Sequence, residues 1–328
     1  MPASVTHAYF ASDVYDTLPA NIKNFLSVSR LRMFAQSTDS FLFYRLFSLK
    51  PSHGLRKFQH TFHVSKSQDF FINLIQYIKD AHLEKDIDTC SFLCGFISHY
   101  VLDSTMHPFI FYKTGKFRKN DSETYKYNSL HTLMEVYLDN HLILAREKHS
   151  PYTFPVSNFC FDLTPFSEEL NSAISYVFNK VFQLPHMDVK YFESLKNMKF
   201  ALATFRQDRF GIKKAGYKLI DTFTPKKWMR LEFVSYHVSM KTSFDFLNFN
   251  HRVWRNPTTY SITSKESFYD LYVKALKLSK KMIEDTFLYL KGENIDLKAV
   301  YTNLSYVTGL DCNCLLYTSD AADDSLRV

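Results

Sequence analysis

Apolar residues recur at helical spacing along most of the chain. Residues 67–82, Ser-Gln-Asp-Phe-Phe-Ile-Asn-Leu-Ile-Gln-Tyr-Ile-Lys-Asp-Ala-His, carry them at three- and four-residue intervals behind a serine, which predicts a capped helix. The run 87–106 is almost continuously apolar and predicts a central, buried helix. The following His107-Pro108 predicts its end, because proline has no N–H for the helical ladder. Helices are also expected over 128–147, 167–182, 188–222, 226–239 and 264–292, and over 21–29 behind Pro19. The segment from Ser264 opens Ser-Lys-Glu, one residue short of a capping box.

Polar, aperiodic residues 113–126 predict an exposed loop, a loop also holds Asp39, and Pro151, Pro155 and Pro165 mark a connector. No internal repeat or long low-complexity linker divides the chain. The expected fold is therefore all-α, a single-domain multi-helix bundle over residues 1–313. Residues 314–328 are acidic and rich in small side chains within a basic, aromatic protein; they are set apart as a non-native tail.

Composition narrows the chemistry. With 7 Gly among 328 residues, there is little material for glycine phosphate loops or a turn-rich sandwich, and 32 Phe and 21 Tyr supply an aromatic core. Five cysteines, at 90, 94, 160, 312 and 314, form no disulfide framework and fit a reducing compartment; Cys90 and Cys94 read as small core residues. Neither a secretory leader nor an 18-residue apolar run is present, so the expected location is cytoplasmic. The net charge of +7 is spread through segments such as Lys113–Lys126 and Lys213–Arg230. It suits a phosphate-bearing substrate or an anionic membrane surface as well as a plain solvated exterior.

The most informative pattern is a ladder of ligand-type side chains. On a helix, His99, Asp103 and His107 fall at successive i, i+4 positions of one face, and His131 and Glu135 repeat the device on the 128–147 helix. Two such helices face to face bring five imidazole and carboxylate groups to one cavity, the donor set that zinc takes. In apolar helices, unpartnered polar groups are costly, which favours metal over chance. His7, Asp39, His60 and His63 can join only if the N-terminal segment and the following loop pack over these helices; solvated side chains are the alternative. Asp139, four residues after Glu135, is either a group holding an imidazole or a surface acid. His82, His141, His149, His186, His237 and His251 lack acid partners at ligand spacing.

These residues carry a resemblance. Gly95–Pro108 with His99, Asp103 and His107, and Leu130–Asp139 with His131 and Glu135, resemble the zinc-dependent phospholipase C family, in particular its non-secreted bacterial branch. Val5-Thr6-His7, Asp39-Ser-Phe-Leu-Phe-Tyr, the His60/His63 region, Leu247–Pro257 and Asn303–Gly309 are similar too. The resemblance implies an all-α fold and a metal-dependent phosphodiester hydrolase with two zinc ions and a third site. One metal would be held by Asp39, His63 or His60, His99 and Asp103, and a second by His107, His131 and Glu135. The third would use His7 and Asp103. Asp39 would also be the catalytic carboxylate that handles the attacking water.

The chain departs from the secreted members in beginning Met-Pro-Ala instead of with a processed Trp, and in spacing His99 and His107 by eight residues, two fewer. The implied partner is a phosphodiester, either phospholipid or a soluble head-group ester, with peripheral membrane contact and no obligate protein partner. Nucleic acid is the less favoured substrate. A single-strand nuclease of related fold and a non-catalytic metal-binding helical protein stand as alternatives.

Overall fold

The computed structural model describes residues 3–118, 120–147, 150–206, 208–225, 230–237 and 244–315. Its helices are α1 (Ser4–Thr17), α2 (Ala20–Lys23), α3 (Val28–Phe34), α4 (Leu55–Val64), α5 (Ser67–Asp80), α6 (Ile87–Thr114) and α7 (Tyr125–Glu147). They continue with α8 (Val156–Cys160), α9 (Glu168–Phe182), α10 (Met187–Ala201), α11 (Ile212–Phe223), α12 (Phe268–Leu290), α13 (Leu297–Val300) and α14 (Cys312–Leu315). Two short antiparallel strands, β1 (Trp254–Arg255) and β2 (Thr263–Ser264), pair Trp254 with Ser264 and Arg255 with Thr263. The fold is all-α, as expected.

Helix α6 is the axis of the bundle. It packs on α1, α3, α5, α7, α9 and α12, which explains why its sequence is apolar on nearly every face. Asp86 caps it by accepting the Thr89 N–H at 2.8 Å. A part-buried two-point ion pair, Arg30 Nε and Nη2 to Asp88 at 2.9 and 3.0 Å, ties its first turn to α3. Aromatic rings fill the space around it, among them Phe92 and Phe96 with centroids 4.3 Å apart and Phe62 and Phe70 at 5.0 Å. Cys90 and Cys94 are buried free thiols, as expected of core residues.

Two close approaches depend on glycine. A Cβ at Gly95 would lie 2.6 Å from the Cβ of Phe34, so the missing side chain lets α3 and α6 touch backbone to side chain. Gly309, at φ +65°, sits against the carbonyl of Ser104, where a Cβ would collide.

The second contact accompanies a departure from expectation. α6 does not end at His107 but runs through Pro108 to Thr114. Proline at 108 cannot donate to Ser104, and the C-terminal segment occupies the resulting irregularity, with Gly309 on the freed carbonyl.

Other boundaries also shift. The residues around His7 form α1, and those around His60 and His63 form α4; neither was expected as a helix. The 21–29 segment is a single turn, α2, followed by a separate helix, α3. Asp39 lies in a 3₁₀ segment, Ser37–Phe43. Ser67 is the first residue of α5 instead of its cap, its hydroxyl being taken by the Leu304 carbonyl at 3.0 Å. The 113–126 loop is shortened by α6 and by a 3₁₀ turn, Ser122–Thr124.

The 188–222 helix divides at a π-helical turn, Leu202–Arg206, and at Gly211 with φ +73°. Of the expected 226–239 helix, residues 231–234 form one 3₁₀ turn, while 226–229 and 238–239 lie outside the described residues. The last long helix begins later than expected, where Ser267 and Asp270 complete a capping box; Ser264 belongs to β2. Residues 316–328, most of the segment set apart as a tail, also lie outside the described residues.

Candidate metal centre

Five elements deliver the ligand-type side chains. α6 presents His99, Asp103 and His107 along one face, and α7 presents His131 and Glu135 towards it. α1 brings His7, the 3₁₀ segment brings Asp39, and α4 brings His63. In one group, His7, Asp39, His99 and Asp103, all buried, each offer a nitrogen or oxygen within 4.8 Å of the others. His107, His131 and Glu135 form a second group by the same measure.

Asp103 is the pivot. Its Oδ1 is 3.2 Å from His7 Nε2, and its Oδ2 is 3.1 Å from His99 Nε2 and 3.6 Å from His107 Nδ1. His7 and His99 stack with ring centroids 4.4 Å apart, as do His107 and His131 at 5.6 Å. His131 Nε2 lies 3.3 Å from Glu135 Oε1. His63, and not His60, is the buried imidazole beside Asp39, with Nε2 3.4 Å from Oδ1; His60 stands at the rim of the adjoining cavity.

Backbone carbonyls set two imidazoles. His99 Nδ1 is 2.9 Å from the Ala35 oxygen and His107 Nδ1 is 2.8 Å from the Tyr306 oxygen. A carbonyl can only accept, so each Nδ1 carries a proton that it donates outward, and Nε2 is left as the donor atom for a metal. The close contact at Gly95 brings Ala35 to His99 one turn further along α6, and the Gly309 contact brings Tyr306 to His107. Tyr306 also stacks on His63, with centroids 4.7 Å apart, and its N–H donates to the His63 carbonyl. The Gln59 amide donates to Asp39 Oδ1 at 2.6 Å and lies 3.0 Å from His63 Nδ1.

Asp139 is not a surface acid. Fully buried, it accepts the Thr6 N–H and hydroxyl, both at 2.8 Å, and so caps α1 from α7.

Electrostatics match this layout. Burial by itself would raise the Asp103 carboxyl, but the facing imidazoles of His107, His99 and His7 hold it well below the usual carboxylate range. Burial opposes an imidazolium at His99, yet Asp103 and Asp39, with the Ala35 carbonyl, push it up to about 9. His63 is pushed down to about 4 because burial outweighs the attraction of Asp39.

Zinc fits these residues. His99 Nε2 and Asp103 Oδ2 are buried without a hydrogen bond although they stand 3.1 Å apart, so their geometry serves something other than each other. Nitrogen and carboxylate oxygen are the donors zinc accepts, and the outward hydrogen bonds of His99 and His107 fix ring orientation. Asp39, His63, His107, His131 and Glu135 also line a cavity that opens beside both groups.

The structure thus brings together His7, Asp39, His63, His99, Asp103, His107, His131 and Glu135. Sequence reasoning missed Gln59 and the role of Tyr306. Gln59 precedes His63 by four residues on α4, a usable signal once α4 is recognised; Tyr306 acts through its backbone, which leaves no signature in residue type.

No curated protein and no solved structure matches the chain. The family model described as zinc dependent phospholipase C matches residues 6–177, more than half of the chain and a span that contains all eight of these positions. With that match beside an all-α bundle and two adjoining groups of zinc-type donors, the chain belongs to the zinc-dependent phospholipase C family.

Proposed function

We propose that the protein is a zinc-dependent phosphodiester hydrolase of the phospholipase C type. The observation that carries this reading is the adjacency of the two donor groups, joined through Asp103 and His107 and opening on one cavity. Two zinc ions are assigned, one to His7, Asp39, His99 and Asp103 with His63 beside them, the other to His107, His131 and Glu135.

When bound, zinc polarises the phosphoryl oxygens and lowers the pKa of a bound water from about 15.7 towards 7. The chain's own residues supply the rest. Asp39 belongs to the buried group and also faces the cavity, so its carboxylate is placed to hold the attacking water and take its proton. Gln59 fixes the rotamer of Asp39 through the 2.6 Å hydrogen bond. The carboxylates of Asp39, Asp103 and Glu135 balance most of the charge of two dications, leaving roughly one positive charge for a phosphodiester monoanion.

The substrate assigned is a phospholipid or a soluble head-group ester. Among the described residues no helix is long and apolar enough to cross a membrane. A reducing compartment, such as the cytoplasm, agrees with Cys90, Cys94, Cys160 and Cys312 as buried free thiols.

The test is turnover of p-nitrophenylphosphorylcholine, phosphatidylcholine and single-stranded DNA by protein of known zinc content. Hydrolysis of the two phosphocholine esters, abolished by chelation and restored by zinc, is expected. Glu135→Gln should lower both zinc content and turnover, and Asp39→Asn should lower turnover more than zinc content. A zinc-loaded protein that cleaves only the DNA is a nuclease, and one that cleaves nothing is a metal-binding scaffold; either result removes this reading.

A further inference from the structure

Helix α11 is turned the wrong way round for a helix of a closed globular protein. Its apolar residues Ile212, Leu219, Ile220 and Phe223, which with Gly216 recur at helical spacing along one stripe, point outward; Ile212, Leu219 and Phe223 are 74%, 63% and 85% exposed. Phe210, just before the helix, is exposed as well. The face turned to the protein is polar, with Tyr217 and Asp221 buried.

Charge sorts in the same sense. The acids of this segment are inside, Asp208 accepting the Lys214 N–H at 2.9 Å and Asp221 accepting the N–H groups of Leu231 and Glu232 at 3.0 Å each. Arg209, Lys213 and Lys218 are exposed. At 100° per residue, Lys213 falls on one flank of the apolar stripe and Lys218 on the opposite face of the helix, while the Arg209 guanidinium lies over the exposed Phe210 ring, 5.3 Å from its centroid, just before the helix. An apolar stripe with Lys213 on its flank and Arg209 beside Phe210, and with no exposed acid in the segment, is complementary to an anionic headgroup layer over hydrocarbon.

The placement is firm and close to the metal centre. α11 packs on the 3₁₀ turn Leu231–Val234, which packs on α7, and the Arg230 N–H donates to the Ser129 hydroxyl at 3.2 Å, two residues before His131. The segment lies outside the residues that match the family.

From this arrangement we infer that the outward face of α11 is a docking surface for an anionic phospholipid bilayer. It lays Ile212, Leu219, Ile220 and Phe223 into the boundary between headgroups and acyl chains while Arg209 and Lys213 pair with lipid phosphates and carboxylates. The inference goes beyond the hydrolase reading, since bilayer binding stands or falls independently of turnover.

The experiment is co-sedimentation of the zinc-loaded full chain with vesicles of phosphatidylcholine, with and without phosphatidylserine, at low and high salt. Wild type should bind the serine-containing vesicles more tightly, and salt should weaken that binding. Leu219→Ser with Phe223→Ser should weaken it roughly tenfold or more. Arg209→Gln with Lys213→Gln should leave a weaker, salt-insensitive association. Melting temperature, zinc content and turnover of the soluble ester should be unchanged in both variants, because all four side chains are on the surface.

Equal binding by wild type and the Leu219/Phe223 variant overturns the inference, and so does failure of wild type to bind. Concentration-dependent dimerisation abolished by the same substitutions overturns it too, by assigning the face to a second copy of the chain. Absence of ester turnover in wild type removes the hydrolase reading while the vesicle result still decides this one.

Discussion

Asp139 of α7 caps α1 across 133 residues of sequence, accepting the backbone N–H and the hydroxyl of Thr6 at 2.8 Å each. The next residue is His7, which stacks on His99 and reaches Asp103. The cap therefore fixes the register in which α1 enters the metal centre. Asp139→Ala should cost about 3 kcal/mol of stability, since it strips charge-assisted bonds from buried donors. It should also weaken metal retention through His7. Denaturant unfolding and elemental analysis check both; a variant as stable and as zinc-rich as wild type would show that α1 docks without this carboxylate.

The roles of Asp103 and His131 separate in metal content. Asp103 faces His7, His99 and His107, so it touches both donor groups, whereas His131 belongs to the second alone. Asp103→Asn should lower zinc in both groups, and His131→Gln in one. Elemental analysis of the two variants beside wild type reads the difference directly. Equal losses would mean that the groups do not bind separate ions.

How much of this was legible in the chain follows from the range of the contacts. The His99, Asp103, His107 ladder and the His131, Glu135 pair are local, fixed by helical period alone, and the structure places them as that period requires. α1 was not legible because it is buried on almost every side, with Ser4, Thr6 and His7 as enclosed as Val5 and Phe10, so no apolar stripe marks it. The continuation of α6 past Pro108 depends on Gly309, and the setting of His107 on the Tyr306 carbonyl, 199 residues away. Neither a distant glycine nor a backbone oxygen announces itself in a periodicity. Asp139 stands out in the chain by its spacing from Glu135, but its partner Thr6 opens a helix that no periodicity marks.

The glycines divide by the space around them. At Gly95 an alanine would meet Phe34 and the backbone of Ala35, forcing apart the contact that sets His99. Gly95→Ala should destabilise by about 1–3 kcal/mol, the usual cost of overpacking, and lower zinc affinity. Gly309→Ala combines a collision with a left-handed φ and should do at least as much. Gly216, in the exposed middle of α11, has nothing within 4 Å of its would-be Cβ. Gly216→Ala should stabilise by roughly 0.5–1 kcal/mol through helix propensity. Thermal melts of the three variants test the ordering, and a stabilised Gly95→Ala would refute the close-contact argument.

The pH dependence of the metal-free protein should show two opposed imidazoles. His99 is raised from 6.5 to about 9 because Asp103 and Asp39 outweigh its burial, so the folded state holds that proton more tightly than the unfolded chain. Its contribution to stability is present below pH 6.5 and is lost as pH rises towards 9. His63, lowered by burial to about 4, has the reverse sign: its contribution is present above pH 6.5 and is lost as pH falls towards 4. Chelated protein should accordingly melt highest near pH 6.5 and lower on either side. Zinc at Nε2 takes the place of the His99 proton, so the alkaline decline should vanish in zinc-loaded protein, and zinc binding in this range should release protons. Asp103→Asn should shrink the decline without metal, since the amide no longer favours the imidazolium. Melting temperatures from pH 4 to 9 for chelated wild type, zinc-loaded wild type and chelated Asp103→Asn are the measurement; a chelated wild type that grows steadily more stable from pH 6.5 to 9 would contradict a charged His99 in the folded core.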